Sequence, residues 1–331
     1  MRFGPVPLLQ AEGAILAHSV ALPEGRLRKG CILGPREIAQ LQATGRTEVI
    51  AACLDEQDLH EDAAALAIAQ ALVPDPRAAG LDLRQVGTGR VNLHARAAGV
   101  VEVRADRVNA LNAVDPMITL ATVPCWQRVA AGEMVATVKI IAYGVAKSAV
   151  AAACTAGAQA LWLCPARVRR IALVETRTET TAKVLGAEAI TQRLAALGAT
   201  LATHLRSPHR EAELAATLAT VRDAELILIL TGSATSDSDD VAPAAVRRAG
   251  GTVERFGMPV DPGNLLFIGQ LDATPVIGLP GCVRSPALNG ADWVMERLIC
   301  GVPVTSADIA AMGVGGLLKE IPQRGRLREA K

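Results

Sequence analysis

Three aspartates, Asp237, Asp239 and Asp240, fall within four residues, directly after a run of small polar residues, Thr231, Gly232, Ser233, Thr235 and Ser236. Carboxylates so spaced can hold Mg2+ through oxygen ligands, together with substrate phosphate and water. Small residues let a ligand approach the backbone, whose amides can face an anion. Asp240 also reads as the N-cap of a helix opening at Val241, with Pro243 in its first turn. Sequence alone leaves these two readings level. Asp237 and Asp239 have a plainer reading too, as solvated loop acids. A second constellation runs Leu279, Pro280, Gly281, Cys282, Val283, Arg284, Ser285, Pro286 and on to Asn289. There Gly281 and the amides near Ser285 can receive an anion, and Arg284 can add a forked charged contact. An ordinary turn and cap is the alternative, and Cys282 reads as a small loop residue before a reactive thiol. A third stretch, from Phe256 to Asn264, holds two glycines and two prolines. It reads as an ordered loop that lines a site or serves as a structural crossover.

These residues need elements to position them. An unbroken apolar run, Leu226, Ile227, Leu228, Ile229 and Leu230, precedes the first loop and reads as a buried central strand. Arg170 to Glu175 and Ala199 to Leu205 read as two more strands, and Thr274 to Leu279 as a fourth. Helices are expected over 183–197, over 207–221 with Ser207 as N-cap and Pro208 at N1, over 241–248, and in a long final helix capped by Ser285 and Pro286. Leu288, Ala291, Met295, Leu298 and Ile299 would form the inward face of that last helix. Alternating strands and helices imply a mostly parallel sheet covered on both faces. Ligands of such sheets bind beyond the carboxyl ends of the strands.

The first half reads differently. Short β-like runs at 14–17, 19–22, 29–33 and 47–51 surround a helix over 35–43, in the manner of a small β-clip module. A helix from Asp58 or Glu61 to Leu72 ends at Pro74 and Pro76. Strands follow at 90–93, 99–103 and 133–141, with a helix over 105–114 among them and a connecting helix over 149–160. Gly87 and Gly89 read as a turn, since the pair is too short for a dinucleotide fingerprint. The expected organisation is a β-rich α+β region over 1–165, an α/β domain over 166–318 and a loose basic tail over 319–331.

The chain has 331 residues, half of them apolar, and only 2% aromatic, so its cores are built from Ala, Val, Leu and Ile. A net charge of +1 argues against a dedicated nucleic-acid binder. The local cluster Arg167, Arg169 and Arg170 reads as a solvated face before a site. Seven cysteines, with no Cys-x-x-Cys pair and no secretory leader, point to reduced thiols in a cytoplasmic setting. No stretch has the length and apolarity of a membrane span.

From about residue 168 to 304 the chain resembles the molybdopterin-binding domain shared by molybdopterin adenylyltransferases, molybdopterin molybdotransferases and gephyrin. The resemblance rests on Thr231, Gly232, Ser233, Ala234 and Thr235, on Asp240, Val241, Ala242 and Pro243, and on Leu279, Pro280 and Gly281. A bacterial subgroup, often fused to a domain resembling cofactor cytidylyltransferases, is similar over most of the chain. That similarity includes 256–266, 279–294, 88–92 and 136–141. The chain departs from the family in three places. Ser233 stands for the second glycine of Thr-Gly-Gly, the first strand ends in Glu175, Thr176 and Arg177 where Ser-Asp is usual, and the insertases' Gly-x-Ser-x-Gly loop is absent.

The resemblance implies a three-layer α/β/α domain acting in molybdenum-cofactor biosynthesis. Its pterin phosphate would lie between the 231–240 and 279–289 loops. Thr231, Gly232, Ser233, Thr235, Gly281, Arg284, Ser285 and Asn289 would bind the cofactor. Asp240 and Asp237 would handle Mg2+ or molybdate and carry any metal-assisted adenylyl transfer or molybdate insertion, with ATP as a possible co-substrate. The implied partners are molybdopterin, a cofactor cytidylyltransferase or a molybdoenzyme, and further copies of the chain. Two alternatives stand beside this reading: a non-catalytic cofactor carrier, and a nucleotide pyrophosphatase of the competence-damage type.

Overall fold

The computed structural model describes residues 1–179 and 186–318. The start of the helix expected from residue 183, and the basic tail over 319–331, lie outside the described residues. The chain forms two compact units: Met1–Ala97 with Val101–Leu163, and Ala98–Val100 with Cys164–Lys331. No helix among the described residues is long and apolar enough to cross a membrane.

The first unit has two cores. Near its start, strands Arg2–Pro7, Ile15–Leu16 and Glu48–Cys53 form an antiparallel sheet. Helix Pro35–Ala43 contributes Leu41 to a core with Leu8, Leu16 and Leu33. Pro35 sits at the first helical position, where its missing N–H costs nothing. The strand expected over 29–33 is reduced to one bridge between Ile15 and Ile32. Gly30 takes φ +83° there, and Leu16 is held instead by bonds with Cys31 and Gly30. The second core lies under a four-stranded antiparallel sheet of Ile118–Thr122, Met134–Ile140, Arg90–Ala95 and Leu81–Gly87. Helices Glu61–Leu72, Ala105–Asn112 and Lys147–Ala156 supply the rest of that core. Gly87, Thr88 and Gly89 all have positive φ and make the turn of the hairpin between its last two strands.

The second unit is a six-stranded α/β sheet whose strands are numbered here from its start. Strands β1 (Arg170–Arg177), β2 (Thr200–Pro208), β3 (Leu226–Leu230), β4 (Thr252–Phe256), β5 (Phe267–Leu271) and β6 (Thr274–Leu279) lie in the order β2-β1-β3-β6-β5-β4. Pairs β1–β2, β1–β3 and β3–β6 are parallel, and β5 and β4 add an antiparallel edge. The helices are α1 (Ala187–Ala195), α2 (Glu211–Ala219), α3 (Val241–Arg248), α4 (Gly290–Ile299) and α5 (Ser306–Ala311). All five residues of β3 are buried, which is why it reads as a continuous apolar run. Each fully buried Leu or Ile contributes roughly 1.5–3 kcal/mol, enough to fix this strand at the centre. One face of the sheet presents Ala172, Val174, Ile227 and Ile229 to Leu214, Leu218, Ala245 and Val246 of α2 and α3. The mixed α/β fold with a mostly parallel sheet, preceded by a β-rich region, is as the sequence implies.

Three local expectations fail. Ser207 and Pro208 do not open a helix: β2 pairs with β1 as far as Pro208, and α2 begins at Glu211 with Arg210 as N-cap. Proline is tolerated there because β2 is an edge strand. Ser285 and Pro286 do not cap the last long helix. Gly281–Arg284 forms a short 3-10 turn, and α4 starts at Gly290 behind a capping box of Asn289 and Asp292. Leu288 accordingly lies outside the helix and is 52% exposed. Strands β4 and β5 and helix α5 are additions that the β-α-β pattern did not announce.

Candidate functional site

Strand β1 leads by way of α1 to β2 on one side, while the chain returns through β3 on the other. Loops leaving β1 and β3 therefore diverge at the carboxyl end of the sheet. Divergence of this kind creates the crevice where open α/β sheets bind ligands.

The loop after β3 begins at Thr231, which is buried, its hydroxyl 3.3 Å from that of buried Thr235. The peptide between Thr231 and Gly232 is held from both sides. The Thr231 carbonyl accepts from Arg284 Nη2 at 2.7 Å, and the Gly232 amide donates to Thr176 Oγ1 at 2.9 Å. Gly232 thus has no spare N–H for a phosphate, contrary to the role given it by sequence. Ser233 and Ala234 stand exposed at the tip.

The carboxylates that follow are turned onto their own loop. Asp240 accepts from Val241 N at 2.7 Å and from Ser236 N at 3.0 Å, the N-cap reading in full. Asp237 accepts from Asp239 N at 2.8 Å. Asp239 lies 3.3 Å from Arg247 Nη1 and is largely exposed. Among the described residues no group of three His, Cys, Asp or Glu side chains is arranged to hold a metal ion. This arrangement does not fit a Mg2+ held by Asp237 and Asp240.

The loop after β6 carries Arg284. Besides Thr231 it reaches the Gly281 carbonyl at 3.3 Å, while its buried Nε has no hydrogen-bond partner among the described residues. Burial pushes the guanidinium below the usual arginine range, and Glu175 and Cys282 act in the opposite direction. A buried donor without an acceptor costs free energy on the order of 1–3 kcal/mol, more when charged. An oxyanion of a ligand would remove that penalty. Gly281 is exposed beside it, and a Cβ there would meet only Arg284 Nη1, at 3.3 Å. Ser285 Oγ accepts from Ala287 N at 3.3 Å. Asn289 is fully buried, and its Oδ1 accepts from Ala291 N at 2.9 Å as the cap of α4. As placed, it offers nothing to a ligand.

Several residues here were given no site role by sequence reading, although Glu175 and Thr176 stand where the family usually has Ser-Asp. Arg193 on α1 pairs with Asp292 of α4 at 2.5 Å and donates to the carbonyls of Ser285 and Ala287 at 2.7 and 2.9 Å. One guanidinium thereby fixes the loop that bears Arg284. Glu175, buried at the end of β1, accepts from Gly186 N and bonds His204 Nε2, each at 2.8 Å. Thr176 beside it lies 2.8 Å from His209 Nδ1. An acid directly after the apolar run Ile171 to Val174 was the available signal for Glu175. Arg193 gave none, because its partner lies 99 positions away.

The 256–264 stretch resolves as a brace. Gly290 N donates to Pro262 O, and a Cβ on Gly263 would come within 2.8 Å of Gly290 N. The loop needs that glycine to lie against the first turn of α4. The cluster of Arg167, Arg169 and Arg170 lies at the opposite, amino end of the sheet. The Arg169 and Arg170 amides there both donate to Glu225 Oε2. It does not join this site.

Comparison with known proteins bears on the same stretch. Residues 178–298 match the family model described as a probable molybdopterin binding domain. The matched stretch runs from just after β1 into α4. Residues 5–53 match a domain of unknown function (DUF8806). No curated protein matches the chain. Among solved structures, the molybdopterin biosynthesis MoeA protein of Pyrococcus horikoshii is 13% identical, with 91% of this chain and 75% of that chain covered and a TM-score of 0.32. Molybdenum cofactor biosynthesis protein B is 16% identical over 41% of this chain and 91% of its own, with a TM-score of 0.28. The molybdopterin biosynthesis enzyme MoaB of Thermus thermophilus is 19% identical over 41% and 99%, with a TM-score of 0.26.

Proposed function

We propose that the carboxyl end of the second unit's sheet binds molybdopterin in molybdenum-cofactor biosynthesis, with the pterin's phosphate between the 231–240 and 279–289 loops. The observation that carries this reading is Arg284. Its guanidinium is tied to the Thr231 carbonyl, so it belongs to both loops, and its buried Nε has no acceptor among the described residues. A phosphate oxygen supplies that acceptor and a compensating charge. Thr231, Thr235, Ser233 and Ser285 offer hydroxyls around it.

Between catalysis and carriage, the aspartates favour carriage. Asp240 and Asp237 are engaged in local turn and cap bonds, so metal-assisted adenylyl transfer or molybdate insertion has no prepared metal cage to act through. The chain then holds the cofactor for a partner, such as a cofactor cytidylyltransferase or an apo-molybdoenzyme. Calorimetry of the full chain with molybdopterin tests the binding. Wild type is expected to bind, and Arg284→Ala to bind at least tenfold more weakly, the loss of a charged hydrogen bond being on the order of 1.5–3 kcal/mol. Equal affinities would sink the site. Turnover with molybdopterin, Mg-ATP and molybdate would restore the transferase reading. Hydrolysis of ADP-ribose would favour the pyrophosphatase.

A further inference from the structure

The Thr231–Gly232 peptide is the middle of a longer chain of hydrogen bonds. Arg284 Nη2 donates to the Thr231 carbonyl, the Gly232 N–H donates to Thr176 Oγ1, and Thr176 Oγ1 lies 2.8 Å from His209 Nδ1. The direction of the last bond follows from its neighbours. Thr176 is only 4% exposed, and its hydroxyl already accepts from Gly232. Its proton still needs an acceptor, since a buried hydroxyl rarely goes without one. Among the described residues, His209 Nδ1 is that acceptor. The ring nitrogen is therefore unprotonated at Nδ1, and the neutral imidazole carries its proton on Nε2. His209 is half-buried just beyond the end of β2, and its backbone N–H is bonded to the Arg177 carbonyl, which ties the residue to the end of β1. Its Nε2 has no hydrogen-bond partner among the described residues.

We propose that His209 is a further ligand-binding residue at this end of the sheet, donating from Nε2–H to an oxyanion substituent, a phosphate group, of the bound molecule. The proposal rests on the reading above only in placing a phosphate-bearing ligand at the strand ends. Arg284 and His209 sit at the two ends of one hydrogen-bonded chain, and each has an N–H that no described residue accepts. Bonds in such a chain polarise one another in the same sense, so the chain orients both donors together. Thr176 is a positioning residue, acting through the imidazole.

Two measurements on the full chain decide it. In a long-range 15N–1H spectrum of histidine-labelled protein above neutral pH, His209 is expected as the Nε2–H tautomer. An Nδ1–H tautomer overturns the proposal. In the same sample, inorganic phosphate is expected to shift the His209 Nε2 resonance. Titration of His209→Ala with inorganic phosphate is expected to show about tenfold weaker binding, as for one hydrogen bond to a charged group. His209→Gln, whose amide can donate from nearly the same place, is expected to recover part of the loss. Unchanged phosphate affinity in His209→Ala, or no phosphate binding by wild type, overturns the proposal. If His209→Ala does not fold, the wild-type Nε2 shift decides alone. Phosphate binding that depends on His209 without any molybdopterin binding would leave this inference standing and remove the pterin reading. Molybdopterin binding lost in Arg284→Ala yet intact in His209→Ala would do the reverse.

Discussion

At the amino end of the six-stranded sheet a cavity of about 350 Å3 opens among Val168, Leu226, Ile268, Leu298, Val302 and Val304. At the carboxyl end, Thr231, Thr176, Glu175, Arg193 and Asp292 are buried or nearly so, and each has a hydrogen-bond partner. The amino end has room and little directed polarity. Its acids are spent, Glu225 on the amides of Arg169 and Arg170 and Glu254 on that of Ser306. The carboxyl end has directed polarity, with the open valences on Arg284 and His209. An empty apolar space is a weaker pointer to function than a buried donor that lacks an acceptor, because only the second carries a free-energy penalty that a specific ligand removes.

The contrast can be broken most forcefully at Arg193. Its ion pair with Asp292 leaves side-chain exposures of 11% and 6%, so removing one partner strands a buried charge. Arg193→Ala is expected to cost about 3–5 kcal/mol in urea unfolding. A loss below about 1 kcal/mol would mean the pair is hydrated and does not organise the 285–292 segment. Next comes Glu175→Ala, which leaves Gly186 N and His204 without their acceptor, at an expected cost of about 1–3 kcal/mol. A Tm equal to wild type would show that the carboxyl end is less tightly stitched than its geometry implies. Asp240→Ala is expected to cost roughly 1 kcal/mol as a lost cap and to leave molybdopterin affinity intact. Normal stability with abolished binding would move Asp240 from the cap into the site.

The smallest effects are expected at the amino end. The amides of Arg170 and Arg169 hold the Glu225 carboxyl below its ordinary value of 4.5. A depressed folded pKa contributes stability above the unfolded value, and that contribution fades as pH falls below 4.5. Glu225→Gln should therefore lower stability slightly near neutrality and leave it unchanged in strong acid, which flattens the acid limb. A loss that appears only in acid would contradict this sign. Filling the cavity with Val302→Trp should leave molybdopterin affinity within about twofold of wild type, well under the 1.4 kcal/mol of a tenfold change. A larger change would show that the two ends are coupled.

Much of the sheet was legible because its signals are local. The run Leu226 to Leu230, the cap at Asp240 and the helix over 241–248 follow from neighbouring residues alone. The errors fall where a distant partner overrides a local rule. Ser207 and Pro208 have the chemistry of a helix start, yet β1 continues through Arg177 and draws them into β2. Ser285 and Pro286 look the same, yet Arg193 takes the carbonyls of Ser285 and Ala287, and the cap passes to Asn289. The site shows the same division. Arg284 could be picked out from its place after Pro280 and Gly281. His209 could not, since a histidine after a strand carries no pattern, and Thr176 showed only as a departure from the family's usual Ser-Asp.

The amino-acid sequence by itself determined the alternation of strands and helices, the central place of β3, and the two loops that meet at the sheet's carboxyl end. Periodicity and capping act within a few residues and can be read there. Tertiary structure alone decided which polar groups in those loops stay free. Asp240 and Asn289 are consumed by caps, and Gly232 by Thr176, while Arg284 and His209 each keep a donor that no described residue accepts. The physical reason is that a buried group's availability depends on every partner within about 3 Å, and those partners come from four different strands.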